Sequence, residues 1–256
     1  MNIRVLGAHN SETMTTSCVS LLIDGNLAVE AGGLTSRLSL EEQGQINAVV
    51  ISHNHMDHVK DIPTLALNCY RRSGCIDIYS TAHVCNSIKA HILNKEMYPE
   101  FHAIPVTRPT VTFQEVEPYA LQWIDGHSVL PIPVNHLTET VGYLIKDKKE
   151  KSVFFTGDTG PELGECWSKI KPQLLIIDVT MCNEREEFAR QVGHLTPNLL
   201  EAELVTFKNI NGYIPDVLAI HMDASQESGI RHELHEVEQH LHSSINMAYE
   251  NMFLAV

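Results

Sequence analysis

Residues 51 to 58 read ISHNHMDH, which places His53, His55, Asp57 and His58 within six positions directly after an apolar run. Neutral imidazole and carboxylate are good ligands for zinc and other first-row divalent metals. Two apart, His53 and His55 share one face of an extended segment. A turn into helix after Met56 would aim Asp57 and His58 at a second ion. Further donors recur after apolar runs: His136 in LPIPVNHLTETVGYLI, Asp158 in KSVFFTGDTG and His221 in DVLAIHMD. Strand ends are where a rigid sheet aims side chains at a shared cleft. A carboxylate between two ions holds them close, and Asp158 is the candidate for that place. Such a pair lowers the pKa of a shared water and polarises a phosphoryl or carbonyl oxygen. His127, in IDGHSV, competes with His136, but DGHS reads as a turn, so His136 is preferred. Histidine is abundant here, 15 in all, and His232, His235, His240 and His242 read as surface groups on one polar helix.

The elements that must position these donors follow from the apolar pattern. NIRVLG (2–7), VSLLID (19–24), LAVEAG (27–32) and NAVVISH (47–53) read as strands, with DGN (24–26) as a tight turn. Ser39 with Glu42 forms a capping box that starts a short helix. Helical patterns cover 60–73, 81–94, 162–170, 196–208 and 230–250. A second group of strands covers 112–117, 120–124, 129–134, 140–146, 152–156, 174–178 and 216–220, with KDKKEK (146–151) as a solvated hairpin turn. Each half opens with hairpin-like strands and closes with strand–helix units. The pattern predicts an α/β architecture of sheets covered by helices, in one domain spanning 1–256.

Composition narrows the function. With 43% hydrophobic and 20% charged residues, the 256-residue chain reads as an ordinary soluble domain. It lacks an apolar run of the ~18 to 20 residues that spans a bilayer. MNIRVLGAHN reads as an opening strand and not as a signal peptide, so a cytoplasmic location and no membrane partner are expected. Six cysteines without a CxxC pair point to reduced thiols and not to a cysteine metal site. The net charge of −14 repels a long nucleic acid but leaves room for a small anionic substrate, because metal ions dominate the field of their own pocket. A homodimer is the expected assembly for a soluble enzyme.

HNHMDH resembles the HxHxDH signature of the metallo-β-lactamase superfamily, and His136, Asp158 and His221 stand at its later ligand positions. The resemblance implies an αββα sandwich, two mixed β-sheets flanked by helices, with a two-metal site on one edge. It implies His53, His55 and His136 at one ion, Asp57, His58 and His221 at the other, and Asp158 between them. A narrower resemblance runs through CVSLLIDGNLAVEAGGLTSRLSLEEQGQINAVVISHNHMDHVKDIPTLALN, PVNHLTETVGYLI, PQLLIIDVTMCN and GHLTPNLL. These segments are similar to the class II cyclic-nucleotide phosphodiesterases, which hydrolyse 3′,5′-cyclic nucleotides to 5′-monophosphates. That similarity implies cyclic AMP or cyclic GMP as the substrate. It implies two divalent ions, zinc first with manganese or iron as alternatives, and Asp57 and His194 as catalytic groups.

Met56 replaces the usual leucine of the motif, and residues 75–130, the least familiar region, are expected to shape the substrate pocket or a subunit contact. His194 either closes the turn before a helix capped by Thr196 with Pro197 at its first position, or bonds a phosphate oxygen or protonates the leaving oxygen. Asp178 orients a ligand histidine or serves as a cap, and Asn183 flanks the same edge. Asp61 reads as a helix-surface residue. Thr138 and Thr140 read as substrate contacts or as a polar strand edge. Other functions compatible with the pattern are a ribonuclease-Z-like phosphodiesterase, a lactonase, a thioesterase or a non-hydrolytic di-iron oxygen-binding protein.

Overall fold

In NIRVLG, alternation sends Ile3 and Val5 to one face of a strand and Arg4 and Leu6 to the other, and the same rule orders most of the strands. The computed structural model describes residues 1–256. In its first half lie β1 (Asn2–Gly7), β2 (Ser20–Ile23), β3 (Leu27–Val29), α1 (Leu34–Arg37), α2 (Leu40–Gln43), β4 (Ala48–Val50), α3 (Met56–Val59), α4 (Ile62–Arg71), β5 (Ile76–Ser80), α5 (Ala82–His91) and β6 (Val111–Glu115). The second half holds β7 (Gln122–Ile124), β8 (His127–Pro133), β9 (Val141–Lys146), β10 (Ser152–Phe155), α6 (Gly164–Lys169), β11 (Leu174–Asp178), α7 (Glu186–Val192), α8 (Pro197–Asn211), β12 (Asp216–Ile220), α9 (Glu227–Leu241), β13 (Ile245–Met247) and β14 (Phe253–Ala255).

The strands form two seven-stranded mixed sheets, ordered β14-β1-β2-β3-β4-β5-β6 and β13-β12-β11-β10-β9-β8-β7. In the first sheet pairing is antiparallel from β14 to β3 and parallel from β3 to β6. The second repeats this scheme, antiparallel from β7 to β10 and parallel from β10 to β13. Parallel neighbours require long crossovers, and most of the helices lie in those crossovers. The inner faces meet in one core, where Val5, Leu21, Leu27 and Val29 join Tyr143, Ile145 and Phe155. The same core continues through the second sheet to Trp167, Leu200, Phe207 and Ile230 of the covering helices. A separate cluster seals α4 and α5 onto the outer face of the first sheet through Leu22, Val49, Leu65, Ile78, Val84 and Ile88. Two sheets face to face with helices outside both make an αββα sandwich. No helix is long and apolar enough to cross a membrane.

Local expectations met at the sequence level include the Ser39–Glu42 capping box on α2 and the KDKKEK turn between β9 and β10. Three differ. Residues 111–115 pair in parallel with β5, and so belong to the first sheet and not to the second strand group. The helix expected over 230–250 stops at Leu241, where His242 takes a left-handed φ of 52°, and β13 and β14 follow. Those strands are three residues each, too short to show a period. The third is a pair of short helices, α1 and α7, for which the sequence pattern predicts no element.

The loop that carries Asp158 is pinned to α8 by Glu203. This buried carboxylate accepts from the Glu162 and Leu163 amides at 2.7 and 3.3 Å and from Trp167 Nε1 at 2.7 Å. Glu203→Ala leaves three inward-facing donors unpaired, and is expected to destabilise the fold by about 2–4 kcal/mol. Urea unfolding checks this, and an unchanged midpoint would contradict it.

Candidate metal centre

All the predicted donors sit at one edge of the sandwich, on the turns and the short helix that follow strand ends. After β4 the chain leaves the sheet through a bend at Ser52 and begins α3 at Met56, with His55 as the N-cap residue in an extended conformation at φ −64° and ψ 148°. This change from extended to helical separates His53 and His55 from Asp57 and His58. His136 lies in the loop between β8 and β9, and Asp158 follows β10. His221 follows β12 with a φ of 69°, a left-handed conformation costly for a residue with a Cβ. Its amide donates to Ala8 O at 2.8 Å, so the end of β1 holds that strained residue in place.

Distances divide the donors into two sets that share Asp158. Asp158 Oδ1 lies 3.1 Å from His58 Nε2 and 3.3 Å from His221 Nε2. Its Oδ2 lies 3.5 Å from His53 Nε2 and 3.9 Å from His136 Nε2. His55 Nδ1 stands 3.4 Å from His136 Nε2 on the same side as His53. Asp57 Oδ2 is 3.2 Å from His221 Nε2 and 3.5 Å from His58 Nε2. In each of the sets His53–His55–His136–Asp158 and Asp57–His58–Asp158–His221, one donor atom per residue lies within 4.8 Å of the others.

The remote ring nitrogens are held by the protein. His136 Nδ1 donates to the Gly193 carbonyl at 2.8 Å, which leaves a lone pair on the inward Nε2. Thr180 donates its one hydroxyl proton to Asp178 at 2.7 Å, so it accepts from His221 Nδ1 at 2.8 Å, again freeing Nε2. Ser52 Oγ meets His53 Nδ1 at 2.9 Å, and Glu30 Oε2 stands 3.3 Å from His58 Nδ1 as a charge contact without a hydrogen bond. This is the outer ring of support that metal-binding imidazoles require. Inside it, His53 Nε2, His58 Nε2 and Asp158 Oδ1 are buried with no hydrogen-bond partner. Buried lone pairs left this way are satisfied by a cation, so the donors fit divalent ions.

The charges agree. Burial and then the neighbouring His58 hold His53 well below the usual histidine range. Burial opposes ionisation of Asp158, but His221, His58 and His53 around it outweigh burial and keep it a carboxylate. His194 packs on the cluster with its ring 5.2 Å from both His221 and His136. Burial disfavours its charge, yet Asp178, 2.6 Å from Nδ1, overrides burial and lifts the ring to about 9.

Other candidates fall elsewhere. His127 Nε2 pairs with Asp24 at 3.0 Å, in the β7–β8 hairpin and apart from the cluster. Asp61 is not a surface group: it is 7% exposed and accepts from the Thr35 amide at 2.7 Å. Asn183 receives the Asn198 amide at 2.8 Å in the first turn of α8. Thr138 donates to Asn54 at 3.4 Å and Thr140 donates to the Thr138 carbonyl at 3.0 Å. Met56 is 62% exposed, so its exchange for leucine is no matter of core volume. From the unfamiliar 75–130 region, α5 reaches the site through Ser87, which accepts from Asn54 at 3.0 Å. Sequence reasoning missed Glu30, Ser52, Thr180 and the Gly193 carbonyl. Only Glu30 left a signal, a charge inside the apolar run LAVEAG.

Gly193 has a φ of 72°, and a Cβ there would sit 2.9 Å from His136 Nδ1. Gly193→Ala is expected to tilt His136 and weaken metal binding about 10- to 100-fold. Titration against a competing chelator measures this, and wild-type affinity would contradict the role given to that carbonyl.

Residues 21–222 match the profile of the Beta-lactamase superfamily domain. The chain is 25% identical over 187 residues to a 3′,5′-cyclic-nucleotide phosphodiesterase of Aliivibrio fischeri, covering 66% of this chain and 55% of that protein. It is 24% identical over 191 residues to a probable 3′,5′-cyclic-nucleotide phosphodiesterase of Yersinia pestis, covering 65% and 52%. The chain thus spans about half the length of these curated relatives. Among solved structures, unliganded yeast PDE1 superposes with a TM-score of 0.83 at 17% identity, covering 100% of this chain and 99% of that one. The short form of human tRNase Z (ELAC1) gives 0.70 at 17% identity, covering 100% and 99%. At these identities the superpositions speak to the fold.

Proposed function

We propose that this chain, which belongs to the beta-lactamase superfamily, is a dinuclear metal-dependent phosphodiesterase that opens 3′,5′-cyclic nucleotides to 5′-monophosphates. The observation that carries the dinuclear part is Asp158, whose two oxygens each face a different pair of histidines. Similarity to the two cyclic-nucleotide phosphodiesterases supports the substrate.

In this reading His53, His55 and His136 would hold one ion and Asp57, His58 and His221 the other, with Asp158 shared between the two sets. The nitrogen-rich donor set suits zinc, with manganese or iron as alternatives. When bound, two such ions supply an activated water and neutralise charge developing on the phosphoryl oxygens. Asp57, held ionised by His221 and His58 despite burial, can only accept, and so orients the attacking water's proton. Asp178 raises His194 above the usual histidine range, and with Nδ1 on that carboxylate a proton on Nε2 would face away from it. His194 delivers that proton to the departing 3′ oxygen, whose alkoxide is otherwise a poor leaving group. Thr180 and Asp178 fix His221 and His194 in one hydrogen-bonded chain, so the donor and the proton source keep a constant separation.

The ribonuclease-Z-like alternative requires a large polyanion to approach a chain of net charge −14. A substrate panel on metal-loaded protein tests the assignment, with cyclic AMP, cyclic GMP, a precursor tRNA, an acyl-lactone and a thioester side by side. A cyclic nucleotide is expected to give the highest kcat/KM and a 5′-monophosphate product. Preference for any of the other three overturns the assignment.

A further inference from the structure

At the far end of α4 from the metal donors lies a cleft of about 510 Å³. Its wall includes Tyr70, Arg71, Ser73, Arg108 and Thr110, and none of its seven lining residues is acidic. Arg71 closes α4, nine rises and so about 13.5 Å along the axis from Ile62, and Arg108 follows the turn that starts at Pro105. Neither arginine makes an ion pair, although carboxylates outnumber basic residues by 32 to 18 in this chain. By contrast, adjacent Arg72 is spent on the Leu40 and Gln43 carbonyls at 3.0 and 3.2 Å. Thr110 is 1% exposed, and its hydroxyl has no hydrogen-bond partner. A buried orphan hydroxyl on a residue that lines the same cleft as two arginines without ion pairs is an unfilled demand for an acceptor.

We infer that this cleft is a second ligand site, separate from the metal centre, that takes a small phosphate-bearing anion. Two guanidinium forks match phosphate oxygens in charge and geometry. The volume admits a phosphate with a nucleoside-sized substituent, against which the half-exposed Tyr70 ring can lie. The inference does not depend on the cyclic-nucleotide reading, because no residue of the metal centre takes part.

The test is an NMR titration of the zinc-loaded protein with inorganic phosphate, followed at the backbone amides of Ser73, Gly74 and Thr110. The expected result is a saturable shift at these amides that chloride at equal ionic strength does not reproduce. Arg71→Gln with Arg108→Gln is expected to weaken that binding at least about 10-fold, the loss of one charge-assisted hydrogen bond or more. Both arginines are exposed, so the double variant is expected to fold, and its amide spectrum shows whether it does. Thr110→Val, nearly isosteric, is a second variant that removes only the hydroxyl, and is also expected to weaken binding. No saturable shift in the wild type, or the same dissociation constant in both variants, overturns the inference. Phosphate binding at the metal centre shifts other amides, so failure here and failure of the enzymatic reading are told apart.

Discussion

Asp158→Ala is expected to take metal content from two ions per chain to one or none, and to lower cyclic-nucleotide hydrolysis by on the order of a thousandfold or more. The size follows from the several kcal/mol of transition-state stabilisation that a metal centre supplies, at about 1.4 kcal/mol per factor of ten. The geometry makes this carboxylate the most sensitive position. Both oxygens are engaged, Oδ1 toward His58 and His221 and Oδ2 toward His53 and His136, and the residue is only 2% exposed. Its removal leaves the five ligand imidazoles around a cavity with one fewer negative charge, which disfavours two dications. His55→Ala provides the contrast. His55 is exposed and belongs to one set alone, so its loss is expected to strip one ion and abolish turnover while the second set still binds. Elemental analysis beside a hydrolysis assay separates the two variants. Two retained ions in Asp158→Ala would remove the bridging role.

His194→Ala is expected to keep both ions and lose about 100- to 10,000-fold in kcat, the range for a general acid. The loss should depend on the leaving group. A 3′ alkoxide needs the proton, whereas nitrophenolate leaves without one, so a bis(4-nitrophenyl) phosphate substrate should lose far less. That dependence distinguishes proton donation from a merely structural histidine, which would slow both substrates alike. Asp178→Asn should follow His194→Ala in direction, because the carboxylate 2.6 Å from Nδ1 is what keeps the ring charged. An equal loss on both substrates would leave His194 as a phosphate contact only.

Much of this was legible in the chain because the donors follow apolar runs. His53, His136, Asp158 and His221 each trail a strand whose burial the sequence shows plainly, and the helix start at Met56 can be read from the break in that run. The two-sheet scheme was visible as two hairpin-then-helix halves. Less was visible where position depends on tertiary closure. β14 returns to pair with β1 across the whole chain length, and three residues carry no period to announce it. The supports of the site were hidden for the same reason. Ser52, Thr180 and the Gly193 carbonyl are ordinary groups in sequence and become specific only when folding brings an imidazole to each. Asp61 misled because a charged residue one turn beyond the cluster reads as helix surface, whereas its carboxylate turns back to the Thr35 amide.

The most direct test of the central claim is metal content and cyclic-nucleotide turnover measured on one sample of purified protein. The account predicts two ions per chain and conversion of cyclic AMP or cyclic GMP to the 5′-monophosphate, both lost together on chelation and restored together by zinc, manganese or iron. Protein that holds two ions and leaves both cyclic nucleotides intact would contradict it.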